Sequence, residues 1–316
     1  MPAVPTSALL ASSATTPFDA TTLPHDISAA IPSPSVSSFQ LGPLTIHFYA
    51  LCILVGIIIA IVLTNRRLTA RGVEDWQVLD IATLAVPMAI VFARIYHVIT
   101  HYTDYFGPGR NPWNPFEPGS VWAIWEGGIA IFGSLIGGTL GAWIMCRRLG
   151  LKLTTLLDAL APGLILAQAC GRFGNWFNQE LFGLPTTLPW GLEIDPGNPA
   201  IPLGTSPGTL FHPTFLYEVI WNSLGALVLL YLGRKIFFQW GRLFAVYLMW
   251  YGAGRIVWES IRIDPSFVIL GLRTNVWGAI GAVALGVIIM AVQYKRHPEP
   301  EESPFIPGRE PQPADD

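Results

Sequence analysis

A series of apolar segments about 20 residues long constrains this chain more than any other feature of its sequence. An α-helix of that length crosses a hydrocarbon core about 30 Å thick. The fourth segment is the weakest, because it contains Asp158 and Pro162. The seven segments run approximately over Leu44–Leu63, Val78–Ile99, Val121–Met145, Leu153–Cys170, Thr214–Gly233, Leu243–Ile261 and Val276–Val292. The sequence therefore predicts an all-α polytopic membrane protein with seven transmembrane helices.

The composition agrees with this interpretation. Hydrophobic residues make up 52% of the chain and charged residues 12%, whereas a soluble domain carries about 25% charged residues. The net charge of -3 and the lack of a basic stripe argue against nucleic acid as a partner. Cys52, Cys146 and Cys170 have no CxxC spacing, and the six histidines are scattered. We therefore expect packing cysteines, no metal site and no cofactor.

The lysines and arginines predict the orientation of the chain, because cytoplasmic loops carry an excess of them. One side of the predicted bundle carries Arg66, Arg67, Arg71, Arg147, Arg148, Lys152, Arg234, Lys235, Arg242, Lys295 and Arg296. The loops on the other side carry only Arg110, Arg172, Arg262 and Arg273. The amino terminus is therefore predicted to lie outside the cell and the carboxyl terminus in the cytoplasm.

Three regions follow from this topology. Residues 1–39 are rich in Ser, Thr, Ala and Pro and lack a basic start, which predicts a disordered outer tail and not a signal peptide. Residues 40–296 form the membrane domain, and residues 297–316 a disordered cytoplasmic tail. Two long connections, 100–120 and 183–213, fall on the outer side. Long ordered loops often carry function, so we expect any chemistry at the outer leaflet.

The sixth segment contains charged residues, which are rare in membrane-spanning helices. Tyr251, Arg255, Glu259 and Arg262 are spaced four, four and three apart, which places them on one face of a helix. A charged side chain near the bilayer centre costs about 2.5–3.5 kcal/mol on insertion scales. One interpretation is a salt bridge between Arg255 and Glu259 that only joins helices. The excess of positive charge favours a bound anion instead.

A second polar cluster closes the fourth segment. Arg172, Asn175 and Asn178 recur every three residues, so they share a face if the helix continues past Cys170. The planar guanidinium of arginine matches phosphate oxygens, and amides add neutral donors. A hydrogen-bonded turn at the membrane interface is the structural alternative. Glu180 and Gly183 follow in the same stretch.

For several weaker candidate residues, both a structural role and a functional role stay open. Tyr49 belongs at the membrane interface, His212 could act as a base, and Asp158 is expected to pair with a buried donor. The glycines of the third segment predict close helix packing or room for a lipid. The residues concerned are His47, Tyr49, Arg94, Glu126, Gly133, Gly137, Gly141, Asp158 and His212.

At these motifs the chain resembles the bacterial phosphatidylglycerol–prolipoprotein diacylglyceryl transferases, from about Leu41 to Arg296. The most specific stretch is Gly171-Arg172-Phe173-Gly174-Asn175, followed by Asn178, Glu180 and Gly183. Further similar motifs are Leu41-Gly42-Pro43 with His47 and Tyr49, Trp125-Glu126-Gly127-Gly128, His212-Pro213 with Tyr217-Glu218, and Tyr251 with Arg255, Glu259 and Arg262.

The resemblance implies an activity and a set of site residues. The diacylglyceryl group of phosphatidylglycerol would move to the lipobox cysteine of a prolipoprotein signal peptide, forming a thioether and releasing glycerol phosphate. The enzyme would lie in the bacterial cell membrane, with its active site at the outer leaflet. The implied catalytic residues are Arg172, Arg255 and Tyr49. The implied substrate-binding residues are Arg172, Asn175, Asn178, Glu180, Gly183, Tyr251, Glu259 and Arg262.

One departure from the family leaves the proton acceptor unassigned. Many members have a histidine where this chain has Phe132, and a phenyl ring cannot take a proton. Among other functions, a transporter of an anionic solute would also use intramembrane arginines, but the chain has no internal repeat. A membrane protease on Ser134 and a structural scaffold are weaker alternatives.

Overall fold

The computed structural model describes residues 29–42, 44–107, 111–115, 117–124 and 127–310. Pro43, Arg110, Trp125 and Glu126, which entered the sequence predictions, lie outside the described residues.

Seven helices of 18 residues or more dominate the described part of the chain. They are α1 Phe48–Thr69, α2 Gln77–Thr100, α4 Ile131–Arg148, α5 Leu153–Phe177, α6 Thr214–Leu232, α7 Arg242–Ile261 and α8 Thr274–Arg296, with the short α3 at Tyr102–Tyr105. Five of them, α1, α2, α5, α6 and α8, are long and apolar enough to cross a membrane. The protein is therefore a mostly helical multi-pass membrane protein, whereas seven crossings stay a prediction.

Two helices differ clearly from the predicted segments. Helix α4 begins at Ile131 instead of Val121, because Gly127 and Gly128 have φ angles of +95° and +74°, which a right-handed helix cannot contain. Helix α5 continues to Phe177, beyond the predicted end at Cys170. In the second polar cluster, Arg172 and Asn175 consequently lie on the helix, and Asn178 begins the turn that follows it.

Glycines let the long helices approach each other closely. In α4, a Cβ atom at Gly141 would lie 2.8 Å from the Cα atom of Ala85 in α2, and Gly133 and Gly137 also face the α2 backbone. In the same way, Gly163 of α5 lies against Ala60 of α1. The predicted close packing of the third segment is confirmed.

Two charged side chains within the bundle are used for structure. Asp158 of α5 is fully buried and accepts hydrogen bonds from the backbone N–H groups of Gly241 (2.7 Å) and Phe244 (3.0 Å), which confirms its predicted pairing with buried donors. It thereby caps the start of α7. Arg94 of α2 donates to the carbonyl groups of Ser120 (2.7 Å), Val121 (2.8 Å) and Gly127 (2.8 Å).

Three short antiparallel strand pairs, two of them hairpins, mark one end of the bundle, which we call the hairpin end. Strands β1 (Ser38–Leu41) and β2 (Leu44–His47) pair with Ser38 opposite His47. Strands β3 (Pro185–Thr186) and β4 (Leu210–Phe211) pair before α6, and β5 (Val268–Ile269) and β6 (Leu272–Arg273) pair between α7 and α8. The opposite end, with the basic loops that follow α1, α4 and α6, is called the basic end.

The described parts of both predicted tails make ordered contacts, which differs from the predicted disorder. At the hairpin end, Trp176 donates its indole N–H to the carbonyl of Pro32 (3.1 Å). At the basic end, residues 298–310 form a carboxyl-terminal strap. Its Phe305 is buried beside Leu68 and Leu151, and its Glu301 forms an ion pair with Arg71 at 3.3 Å.

Candidate functional site

Glu218 joins the two predicted polar clusters at the hairpin end of the bundle. It lies near the start of α6 and is 4% exposed. One carboxylate oxygen is 2.8 Å from Nε of Arg172 on α5, and the other is 3.6 Å from Nη1 of Arg255 on α7. The structure thus brings Arg172 and Arg255 to opposite sides of one buried carboxylate. Glu218 had no predicted role beyond its place in the motif with Tyr217, although an intramembrane carboxylate is itself a signal of function.

Glu259 of α7 is the second buried carboxylate and has no exposed surface. It accepts from Nη2 of Arg255 (2.8 Å) and Nη1 of Arg262 (3.1 Å). Its other oxygen accepts from the amide of Asn275 (2.9 Å) and lies 3.0 Å from Nε of Arg273. The predicted salt bridge between Arg255 and Glu259 is therefore present, within a larger network.

Asp264 completes this network just after α7. Arg262 donates to both of its carboxylate oxygens, at 2.7 and 2.8 Å, and Arg273 donates to one of them at 3.0 Å. Burial raises the pKa of Asp264, but the hydrogen bonds and charge of Arg262 outweigh it and leave the pKa below its usual value. Burial likewise lowers the pKa of Arg262, and its carboxylate partners raise it overall. These contacts favour a structural role for Arg262 over the predicted substrate binding.

The network leaves positive charge at one side. Four arginines, Arg172, Arg255, Arg262 and Arg273, share three carboxylates through ion pairs. Arg262 is held by both Glu259 and Asp264, and its side chain is 4% exposed. The side chains of Arg172, Arg255 and Arg273 are 17%, 14% and 17% exposed, and Arg172 and Arg255 share Glu218. Arg172 and Arg255 are therefore a pair of partly exposed guanidinium groups, which is an arrangement suited to an anion.

Arg172 also begins a chain of hydrogen bonds along the end of α5. Its Nη1 donates to Oδ1 of Asn175 (3.1 Å), and Nδ2 of Asn175 donates to Glu180 (2.6 Å). Asn178 donates to the same Glu180 oxygen at 3.5 Å. Arg172 and Asn175 lie one turn apart on α5, as predicted, and Asn178 is the residue that caps the end of this helix.

Glycines shape the space beside Arg172. A Cβ atom at Gly174 would collide with the ring of Tyr49, so the two helices can meet there only with glycine. A Cβ atom at Gly171 would have no described atom within 4 Å. Helix α5 is therefore open at Gly171 and packed against Tyr49 of α1 at Gly174, on the turn that carries Arg172.

Two other predicted site residues, Tyr251 and Gly183, pack against neighbouring residues of the protein. The ring of Tyr251 stacks on Tyr247, with 6.0 Å between ring centroids. Gly183 pairs with Arg262 as an isolated antiparallel bridge, and a Cβ atom there would be 2.8 Å from Cβ of His212. Both positions fit packing, and their predicted contact with substrate stays a prediction.

Phe132, at the position where many family members have a histidine, and the candidate base His212 occupy different surroundings. Phe132 is 54% exposed and lies 6.1 Å from the ring of Tyr96, measured between centroids. The Nδ1 atom of His212 lies 3.1 Å from the hydroxyl of Tyr217, which also accepts from the indole N–H of Trp190 (3.2 Å). His212 is therefore already engaged with a neighbour, and the proton acceptor stays unassigned.

Comparisons with known proteins agree with the resemblance seen in the motifs. The model of the prolipoprotein diacylglyceryl transferase family matches residues 37–292. The phosphatidylglycerol–prolipoprotein diacylglyceryl transferase of Leifsonia xyli subsp. xyli is 58% identical over 287 residues, covering 89% of this chain and 86% of that protein. The enzymes of the same name from Bifidobacterium longum strain DJO10A and Cutibacterium acnes are 49% and 45% identical, covering 86% and 88% of this chain and 88% and 92% of those proteins.

Proposed function

Because the chain belongs to the prolipoprotein diacylglyceryl transferase family, we propose that it transfers the diacylglyceryl group of phosphatidylglycerol to the lipobox cysteine of prolipoproteins. The single observation in the fold that supports this activity most is the pair Arg172 and Arg255 on either side of Glu218. A lipid phosphodiester is the anion that such a pair fits at a membrane edge.

The charge of the leaving group gives the two arginines a catalytic role. The cysteine sulfur attacks the saturated glyceryl carbon, the C–O bond to phosphate breaks, and glycerol phosphate departs. The phosphate carries one negative charge in the lipid and moves towards two as a monoester. Guanidinium groups directed at its oxygens attract it more strongly as the bond breaks, and such differential binding accelerates a reaction. Arg172 grips the phosphate, and Arg255 stabilises the leaving group.

The carboxylates position the arginines. Glu218 and Glu259 fix Arg255 between them, and Asn175 fixes Arg172 from the other side. A positioned guanidinium loses less conformational entropy when it binds a phosphate than a free one does. Asn178 and Glu180 bind the glycerol head, and Tyr49 hydrogen-bonds the lipid.

The acceptor needs no internal nucleophile, because its own cysteine attacks. A free thiol has a pKa of about 8.5, and only the thiolate is strongly nucleophilic. The positive charge of Arg172 and Arg255 lowers the pKa of a bound thiol. The same pair of arginines thus serves both substrates.

The distribution of basic residues supports a site at the outer leaflet. Seven long helices and a basic end that gathers Arg71, Arg147 and Lys152 support seven crossings with the basic end in the cytoplasm. The hairpin end, with Arg172, then faces outward, where exported preproteins present their cysteine.

An assay with purified protein tests the function directly. The full chain is incubated with phosphatidylglycerol vesicles and a synthetic lipobox peptide, and mass spectrometry measures the gain on the cysteine. We expect one diacylglyceryl group per peptide with the wild-type protein. Arg172→Ala and Arg255→Ala should abolish the gain while membrane insertion stays normal.

The matched control is Arg234→Ala, which removes an exposed arginine at the basic end. This variant should transfer at the wild-type rate. Full activity of Arg255→Ala would remove that residue from the mechanism, and a wild-type protein that leaves the peptide unmodified would reject the proposed function.

A further inference from the structure

An open pocket of about 270 Å³ lies beyond the end of α5, beside the arginine site. Three separate chain segments form its walls: residues 34–37 before β1, residues 177–179 at the end of α5, and residues 195–199 in the connection between β3 and β4. The pocket therefore depends on the amino-terminal segment, which the sequence predicts to be disordered.

Gln179 holds the three walls in place. Its side-chain N–H donates to the carbonyl of Pro34 (3.0 Å), and its side-chain oxygen accepts from the backbone N–H of Asp195 (2.8 Å). Its backbone carbonyl accepts from Nδ2 of Asn198 (2.8 Å). Gln179 has a φ of +51°, a strained conformation that persists only where the surroundings enforce it. The pocket is consequently preformed.

The lining chemistry separates this pocket from the arginine site. Among the described residues that line it there is no lysine or arginine, and its single ionisable group is Asp195. A phosphate would be repelled there. Ser35, Ser37 and Asn178 instead provide neutral donors and acceptors, whereas the side chain of Asn198 is already hydrogen-bonded within the protein. That combination matches the alternating N–H and C=O groups of an extended polypeptide.

A chain of hydrogen bonds places the pocket next to the reacting groups. Asn178, which lines the pocket, donates to Glu180 at 3.5 Å. Glu180 accepts from Asn175 at 2.6 Å, and Asn175 accepts from Arg172 at 3.1 Å. Three hydrogen bonds therefore separate the pocket from the guanidinium that grips the phosphate.

We propose that this pocket binds the acceptor polypeptide as extended main chain, over the residues that follow the reacting cysteine. The inference rests on the proposed function, in which the cysteine meets Arg172 at the membrane edge and the exported part of the preprotein continues outward. The pocket lies in that direction, beyond the helix. Pockets for whole small molecules occupy about 300–1,000 Å³. This pocket, at about 270 Å³, is smaller, so it accommodates only a short part of the polypeptide.

Two peptides and two variants test the inference. One lipobox peptide ends at the reacting cysteine, with an amidated carboxyl terminus. The other peptide continues with four uncharged residues after the cysteine. Ser35→Phe places a ring in the pocket, and Ser206→Phe is the matched control, since both serines are exposed but Ser206 lies outside the pocket. KM for each peptide and for phosphatidylglycerol is measured with the purified full chain.

We expect the wild-type protein to have a KM about tenfold lower for the longer peptide, which corresponds to one or two net hydrogen bonds. Ser35→Phe should lose this advantage, and Ser206→Phe should keep it. Equal KM values for the two peptides with the wild-type protein would overturn the inference, as would a Ser35→Phe variant that raises only KM for phosphatidylglycerol. Transfer to neither peptide would instead reject the proposed function, and the inference with it.

Discussion

At the scale of single residues, Glu218 determines the positions of the Arg172 and Arg255 side chains. It is buried between them, and a buried charge is tolerated only where partners surround it. Removing one member of such a cluster leaves the others uncompensated. Glu218 therefore holds both guanidinium groups in position.

The shape of the guanidinium group predicts that lysine cannot replace arginine here. In Arg172→Lys the Nε contact to Glu218 and the Nη1 contact to Asn175 cannot both be made, because a single ammonium group replaces a planar fork. Losing one charge-assisted hydrogen bond in the transition state costs about 1.5–3 kcal/mol, a decrease in kcat of about 10- to 100-fold. Initial rates of peptide modification measure the decrease, and a rate within twofold of wild type would contradict it.

Asp264 predicts a pH dependence of stability. Its pKa is lowered in the folded protein, so its contribution is complete above the unfolded value of about 3.9 and is lost as the pH falls through the lower folded value. The thermal midpoint of the wild-type protein in detergent should exceed that of Asp264→Asn by a constant amount between pH 8 and pH 5. Below about pH 4 the difference should shrink. A difference that grows on acidification would contradict this assignment.

At the scale of elements, the bundle depends on glycines where helix backbones meet. Gly133, Gly137 and Gly141 form a stripe of α4 that lies directly on α2, and Gly56 and Gly163 do the same between α1 and α5. Within a membrane, helix association depends on such close contact and not on the hydrophobic effect, since lipid tails are as apolar as the side chains.

Gly137→Ala tests this packing. The added methyl group would lie 2.6 Å from Cβ of Phe92 and closer still to the carbonyl oxygen of Met88, which is backbone and cannot rotate away. Overpacking of this kind costs about 1–3 kcal/mol, so the temperature at which half the detergent-purified protein stays monodisperse should fall. Gly281→Ala in α8 is the control, because no described atom lies within 4 Å of its added Cβ. Equal midpoints for both variants would argue against the packing role.

At the scale of the whole molecule, the carboxyl-terminal strap ties together three loops of the basic end. Glu301 forms ion pairs with Arg71 (3.3 Å) and Lys152 (3.6 Å), and its backbone N–H donates to the side chain of Gln239 (2.7 Å). Those three partners belong to the loop after α1, the loop before α5 and the loop before α7. The strap therefore links helices that are distant in sequence.

Phe305→Ala should loosen the strap. The ring is 6% exposed within an apolar cluster that includes Leu68 and Leu151, and removing a buried phenylalanine side chain costs about 3–5 kcal/mol. We expect faster thermal inactivation and earlier proteolysis at the basic end, while Glu302→Ala, at an exposed strap position, should behave as wild type. Identical inactivation rates for the two variants would show that the strap does not stabilise the bundle.

The sequence alone determined the helices, the glycine stripe and the arginine motifs. Apolar length and helical spacing are local properties, so the positions of α2, α6, α7 and α8 followed from them within four residues. The membrane thickness that selects such lengths is the same for every chain.

Only the tertiary structure decided which charges meet. Glu218 lies between the two arginines because the last turns of α5 and α7 meet the first turns of α6, and Arg262 forms ion pairs with Asp264 and Glu259. Residues 29–37 and the strap likewise adopt their ordered structure through contacts with residues that are distant in the sequence. Ion pairs and packed terminal segments depend on distances between residues that are far apart in the chain. The spacing of residues along the sequence does not predict those distances.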